Sequence, residues 1–210
     1  EIAGFKIEGE NLTLKQLMDR GITNKVESIE IIATEAINES VLQGMLNKVA
    51  ADWKDMDFEL KPYKDMKNYW IIGSVDNVFE LLDNSLVTIG AIMGSRYVNA
   101  IRDTVESWHK KLLLLQATMD QWLECQKTWM YLEPIFAAAD IARQLPNESK
   151  VFKNVTSSWK EIMKQTNLDA NCIKQGAAKG RREAFAKNNA MLDGVQRGLE
   201  EYLQIIKKIF

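Results

Sequence analysis

The chain has 210 residues, 46% of them hydrophobic and 27% charged, with a formal net charge of −2. That length can bury a sizeable core in one or two domains, and the composition argues against disorder. The near-neutral balance supplies no long-range field toward nucleic acid or a membrane surface.

Three prolines and 11 glycines are few breakers and favour long helices. Residues 1–12 have no clear period. Thr13 can cap a short helix to about Arg20, closed by Gly21. Asn24 is read as the cap of a long helix to about Met56, with Val26, Ile29, Ala33, Ala36, Leu42, Met45, Val49 and Trp53 on one face. Gly44 weakens that helix locally by about 1 kcal/mol relative to alanine.

From Phe58 to Ile72 strand-type residues flank a polar turn, Lys64–Asn68, which predicts a small hairpin with Pro62 on an edge. Ser74 is expected to cap the next helix, which carries Val78, Leu81, Leu82, Leu86 and Ile89 and ends at Gly90. Residues 90–96 form a connection with two glycines that could bend.

Val98, Ile101, Val105, Trp108, Leu112, Leu115, Met119 and Trp122 recur at alternating spacings of three and four, and the pattern continues through polar Gln126 to Trp129. This heptad-like seam predicts one helix of about 35 residues, roughly 50 Å long. Phe185, Leu192, Val195, Leu199, Tyr202, Ile206 and Ile209 form a second such seam, with Asn188 in one slot. Matched seams invite antiparallel packing at a shallow angle. Between them Pro134 and Pro146 are expected to break the chain, Asn147 to restart it, and Val151, Val155, Trp159, Ile162 and Met163 to mark another helix. Residues 166–180 look like a loop or a frayed turn.

The fold class that follows is predominantly all-α: an elongated bundle of long helices with one small β-hairpin near residues 58–72. The chain reads as a single unit, 1–89 holding the first helices and the hairpin and 95–210 the long-helix bundle. It opens on Glu1 and its last ten residues are still helical in pattern, so both ends are expected to be cut from a longer polypeptide.

The search for chemistry is mostly negative. His109 is the only histidine and is expected on the outer face of its helix. No P-loop occurs; the nearest imitation, Gly176-Ala-Ala-Lys-Gly180, lacks the spacing and the hydroxyl residue. No Gly-x-Ser-x-Gly elbow is present. Acidic pairs such as Asp57 with Glu59 and Glu200 with Glu201 read as solvated faces, because nothing supplies the apolar pocket that raises a carboxyl pKa. Cys125 and Cys172 cannot build a disulfide framework or a zinc cluster and are expected to be reduced, buried hydrophobes. No apolar run approaches the roughly 20 residues that span a bilayer, and no secretory signal opens the chain. Lys174, Lys179, Arg181 and Arg182, with Lys187 beyond them, form the one local charge asymmetry. They are either a solvated loop and helix start or a docking patch for an acidic protein surface. Six tryptophans fall mostly on apolar stripes, so core packing is their default role.

Residues 128–136 read Thr-Trp-Met-Tyr-Leu-Glu-Pro-Ile-Phe. The run Trp129, Met130, Tyr131, Leu132, Glu133, Pro134, Ile135, Phe136 resembles the linker stretch in the N-terminal region of dynein heavy chains. Pro62-Tyr63-Lys64-Asp65 with Tyr69, Met93-Gly94-Ser95-Arg96-Tyr97 and Gln196-Arg197-Gly198-Leu199 are similar in the same order, and the middle one has an axonemal look. The resemblance implies a mechanical arm lying across a ring of AAA+ ATPase modules encoded downstream, bending and straightening with the nucleotide cycle. It implies no catalysis and no cofactor in this segment, with ATP and magnesium held by the ring. The implied partners are that ring, dynein light and intermediate chains, and microtubules reached through the complex. The implied setting is the cytoskeleton of a cilium or flagellum, the axoneme. A coiled-coil or spectrin-like scaffold is the competing reading. It would share the heptads but has no reason to interrupt them with a hairpin or with Leu-Glu-Pro-Ile-Phe.

Overall fold

A computed structural model describes residues 13–209, so the aperiodic opening, residues 1–12, lies outside the described residues. Helix α1 (Leu14–Asp19) starts on a capping box: the Thr13 hydroxyl accepts from the Gln16 N–H, and the Gln16 side chain accepts from the Thr13 N–H at 3.0 Å. Gly21 adopts a left-handed φ of 83° and feeds a 3-10 turn, Ile22–Lys25, before helix α2 (Val26–Lys54). Asn24 therefore lies within that turn and caps nothing; Lys25 holds the N-cap position without a side-chain hydrogen bond. Only the second half of α2 is buried, through Leu42, Leu46, Val49 and Trp53. In the first half, expected to be buried, Val26 is 48% exposed, Ala33 and Ala36 are exposed, and Ile29 is half-buried.

Strands β1 (Leu60–Pro62) and β2 (Trp70–Ile72) pair antiparallel in the register Leu60↔Ile72, Lys61↔Ile71, Pro62↔Trp70. The tight tip uses left-handed Lys64 and Asn68. Helix α3 follows (Asp76–Met93). The Gly73 N–H still donates to the Glu59 carbonyl at 2.7 Å, which holds the chain in strand geometry past β2 and moves the helix start beyond Ser74 to a Val75 cap. Gly90 does not end α3. Ile89 and Ile92 are both fully buried, and that burial outweighs the roughly 1 kcal/mol a mid-helix glycine costs. The connection instead begins at Gly94 and passes through a second 3-10 turn, Asn99–Ile101.

Helix α4 (Arg102–Ala137) is 36 residues long, about 54 Å. It buries Val105, Leu112, Leu115, Met119, Trp122 and Trp129 as the spacing predicts, and adds Cys125, Leu132 and Phe136. His109 is half-buried rather than fully on the outer face. Pro134 lies inside the helix and does not end it. Its ring removes one hydrogen bond, to the Met130 carbonyl, within the last turn, where burial of Leu132 and Phe136 on either side holds the helical path to Ala137.

A short α5 (Ala139–Gln144) reverses the chain, and Pro146 is the first residue of α6 (Pro146–Leu168), where its missing N–H has no helical partner to lose. The expected restart at Asn147 thus comes one residue early. Residues 169–180 contain a single turn of helix, α7 (Cys172–Gly176), before α8 (Arg181–Ile209).

The long helices do not pack as an antiparallel pair of seams. Trp129 meets Thr156 and Trp159 while Phe136 meets Phe152, so α6 runs opposite to α4. Arg181 meets Gln165 and Asn188 meets Ser158, so α8 runs opposite to α6. Helices α4 and α8 therefore run the same way, with Trp122 stacked on Phe185 at 4.8 Å and Asn189 donating to the Gln121 carbonyl at 2.9 Å. The 23-residue α6 is long enough to return the chain to the start of the bundle, which makes a parallel pair of seams possible. The fold is predominantly all-α with one hairpin, and its buried side chains form one continuous core from Leu42 to Leu199. Among the described residues no helix is long and apolar enough to cross a membrane.

Candidate functional site

The hairpin, α4 and α6 meet around Trp129. Its indole is fully buried, stacks on Trp159 at 5.6 Å and on Tyr69 at 6.1 Å, and lies tilted against Tyr63 at 4.9 Å. The indole Nε1 donates to Thr156 Oγ1 at 3.0 Å, so its one polar atom is satisfied within the packing. One side chain from α4 is thus enclosed by two hairpin rings and one α6 ring. Such ring pairs add about 0.5–1.5 kcal/mol each beyond area burial.

Polar bonds lock the same joint from both ends. Gln126, which interrupts the apolar seam, accepts from the Ile72 N–H and donates to the Ile72 carbonyl, both at 2.8 Å. It continues the β2 edge as a third strand would. Trp159 Nε1 donates to the Trp70 carbonyl at 3.2 Å, tying α6 to the same strand. At the hairpin tip Glu133 accepts from the Tyr63 hydroxyl at 2.9 Å and from Lys64 Nζ at 2.6 Å. Burial raises the Tyr63 phenol pKa above its ordinary value, with neighbouring Glu133 adding in the same direction and Lys64 opposing. The hydrogen bond to Glu133 raises the Lys64 ammonium pKa.

The residues singled out at 129–136 divide by face. Trp129 and Leu132 are fully buried, Phe136 is 7% exposed against Phe152 at 5.3 Å, and Ile135 is half-buried. Tyr131 is 58% exposed and Pro134 is exposed, so neither belongs to the packed cluster around Trp129. Glu133 is the tie to the hairpin tip. Sequence reading missed the roles of Gln126, Thr156 and Trp159 here. The available signal was a glutamine in a seam slot otherwise filled by large apolar residues.

A second lock joins the far end of the bundle to α2. Asn171 Nδ2 donates to the carbonyls of Trp53 at 3.2 Å and Lys54 at 3.0 Å, the last of α2, while its Oδ1 accepts the Lys174 N–H that opens α7. Cys172 N–H donates to the Met56 carbonyl, and Phe58 N–H to the Ala170 carbonyl. Trp53 Nε1 donates to Ser85 Oγ at 2.9 Å, which ties α2 to α3.

The basic run is split. Lys174 pairs with Asp169 at 2.9 Å, a bond that raises the lysine pKa and lowers that of the aspartate. Arg181 is only 9% exposed, donates to Gln165 and lies over the Trp122 ring at 5.7 Å; burial lowers its pKa. Lys179 and Arg182 stay exposed. The two cysteines are buried and unpaired, and burial pushes both thiol pKa values up to about 12. Among the described residues no group of histidine, cysteine and carboxylate side chains is placed to hold a metal ion.

The family model "Dynein heavy chain, N-terminal region 2" matches residues 1–210. Human dynein axonemal heavy chain 6 is 39% identical over 199 residues, 95% of this chain and 5% of that protein. Rat dynein axonemal heavy chain 12 is 32% identical over 205 residues, 97% of this chain and 7% of that protein. Mouse dynein axonemal heavy chain 2 is 34% identical over 206 residues, covering 98% and 5% respectively. The chain thus spans about a twentieth of the length of the curated relatives it matches. With its whole length matched and its hairpin locked onto the Trp-Met-Tyr-Leu-Glu-Pro-Ile-Phe helix, the chain belongs to the dynein heavy chain N-terminal region 2 family.

Proposed function

We propose that the chain is a mechanical linker segment, a lever that transmits nucleotide-dependent motion of a downstream AAA+ ring in an axonemal, ATP-driven microtubule motor. The observation that carries the reading is the enclosure of Trp129 by the hairpin and α6. A lever must resist bending. Three long helices sharing apolar seams, cross-tied by Trp129 to Thr156, Asn188 to Ser158 and Asn189 to Gln121, have few soft joints between their ends.

This segment carries no catalysis and needs no cofactor of its own; ATP and magnesium belong to the ring. The ring is its direct partner, with light and intermediate chains and microtubules reached through the complex, in the axoneme of a cilium or flagellum. An interchangeable helical scaffold would not require a hairpin whose tip is bonded to an α4 carboxylate 70 residues away. The test is Trp129→Ala in the complete motor. Microtubule gliding should slow by a larger factor than basal ATPase turnover falls, because force transmission suffers before chemistry does. An equal fall in both would contradict the lever.

A further inference from the structure

The first half of α2 has a face that nothing in the described chain covers. Val26, Ile29, Ala33, Ala36 and Ser40 recur at spacings of three and four along it. The buried face of the second half, Leu42, Leu46, Val49 and Trp53, is rotated by about 150° around the same helix at 100° per residue. The apolar stripe thus switches sides midway. One half packs on α3, and the other points away from it.

The large side chains flanking that outward stripe are exposed: Ile32 at 45% and Ile37 at 64%. A run of apolar positions at helical spacing, Val26 to Ala36, exposed over about three turns apart from half-buried Ile29, is the pattern of a helix built to be covered. Small residues at its centre, Ala33, Ala36 and Ser40, let another helix approach closely.

Charge says what kind of helix. Glu27, Glu30, Glu35 and Glu39 lie on this half, and no lysine or arginine occurs between Lys25 and Lys48. Glu30 and Glu39 border the apolar stripe on its two edges, where charges choose the partner of a packed helix. Glu27, Glu30 and Glu35 also line a groove toward Arg96 and Tyr97, so the acidic field continues around the inner side. A second copy of this chain would bring four more glutamates within about one Debye length, roughly 8–10 Å, and be repelled. We propose that the first half of α2 is the docking site of a separate amphipathic helix whose apolar face is edged by lysine or arginine.

Two synthetic 18-residue helical peptides with the same Leu/Ala face, one edged by lysine and one by glutamate, test this on the 210-residue chain. Fluorescence anisotropy should show the lysine-edged peptide binding at least tenfold more tightly at low salt. The double substitution Ile32→Gln and Ile37→Gln should weaken it about tenfold while leaving the urea midpoint unchanged, since both side chains are exposed. Glu30→Lys with Glu39→Lys should reverse the preference between the two peptides. Binding of neither peptide, equal binding of both, or binding indifferent to the isoleucine pair overturns the proposal. So does sedimentation showing that the chain dimerises through this face, with the dimer lost in the isoleucine variant.

Discussion

Replacing Trp129 by alanine removes an α4 side chain that touches both the hairpin and α6. The indole is fully buried between Tyr63, Tyr69 and Trp159. Truncations of buried Phe or Trp cost about 3–5 kcal/mol, through lost transfer energy plus the cavity left behind. The upper part of that range applies, because the walls are themselves tied down. Tyr63 is bonded to Glu133 and Trp159 to the Trp70 carbonyl, so neither ring can collapse into the space without breaking a bond. Thr156 also loses its donor. For a chain of this size about 4 kcal/mol corresponds to roughly 8–16 °C in Tm, a large share of a typical 5–15 kcal/mol stability. Urea and thermal melts followed by far-UV circular dichroism measure it. Tyr131→Ala is the matched control: two residues away, 58% exposed, and expected within about 0.5 kcal/mol of the parent. Equal, small losses in both variants would refute the enclosure of Trp129.

Gly176→Ala should destabilise by about 1–3 kcal/mol, since a Cβ there would sit 2.1 Å from Leu115 Cδ1 in a buried contact between α7 and α4; a neutral urea melt would contradict that packing. Gln126→Leu should cost about 1–3 kcal/mol for each Ile72 backbone group it orphans, and fast hydrogen exchange of the Ile72 amide should report the loss. Both cysteines should resist a thiol reagent at pH 8 in the native chain and react fully in denaturant. Native thiols held up to about 12 stay protonated where unfolded thiols, ordinarily near 9, ionise. The unfolded state therefore binds fewer protons between those values, and that contribution to stability, complete below about 9, is lost as pH rises toward 12.

The long seams were legible because burial at spacings of three and four is written directly in α4 and in α8 as far as Leu199. Beyond it Tyr202 and Ile206 are half-buried and Ile209, expected in the seam, is 71% exposed. The relative direction of the seams was not legible. Two seams of the same period fit side by side either way, and the choice belongs to α6, whose length and two end turns return the chain. Helix ends read from Ser74, Gly90 and Pro134 were displaced by tertiary terms. Strand pairing persisted at Gly73, and buried Ile92 and Phe136 drew α3 and α4 past residues that would stop an isolated helix. Pattern alone also assigned the first half of α2 to the core, since an apolar stripe does not say what covers it. In the joint, Trp129 was visible as the end of a seam. Its partners were not, because Tyr63 and Glu133 lie 70 residues apart and meet only through folding. Gln126 and Asn188 looked like flaws in the seams. They are the positions where a neighbouring strand edge and the Ser158 hydroxyl are bonded.

The central claim is that α4, α6 and α8 move as one body. To test the proposed lever in the complete protein, probes at exposed Thr104 on α4 and Arg197 on α8 report the internal distance, and a third probe on the proposed AAA+ ring reports the displacement of the arm. Single-molecule energy transfer across the nucleotide cycle should find the Thr104–Arg197 distance steady to well under one helical turn, about 5 Å, while the distance to the ring changes by more than that. An internal distance that changes as much as the distance to the ring would contradict a rigid lever.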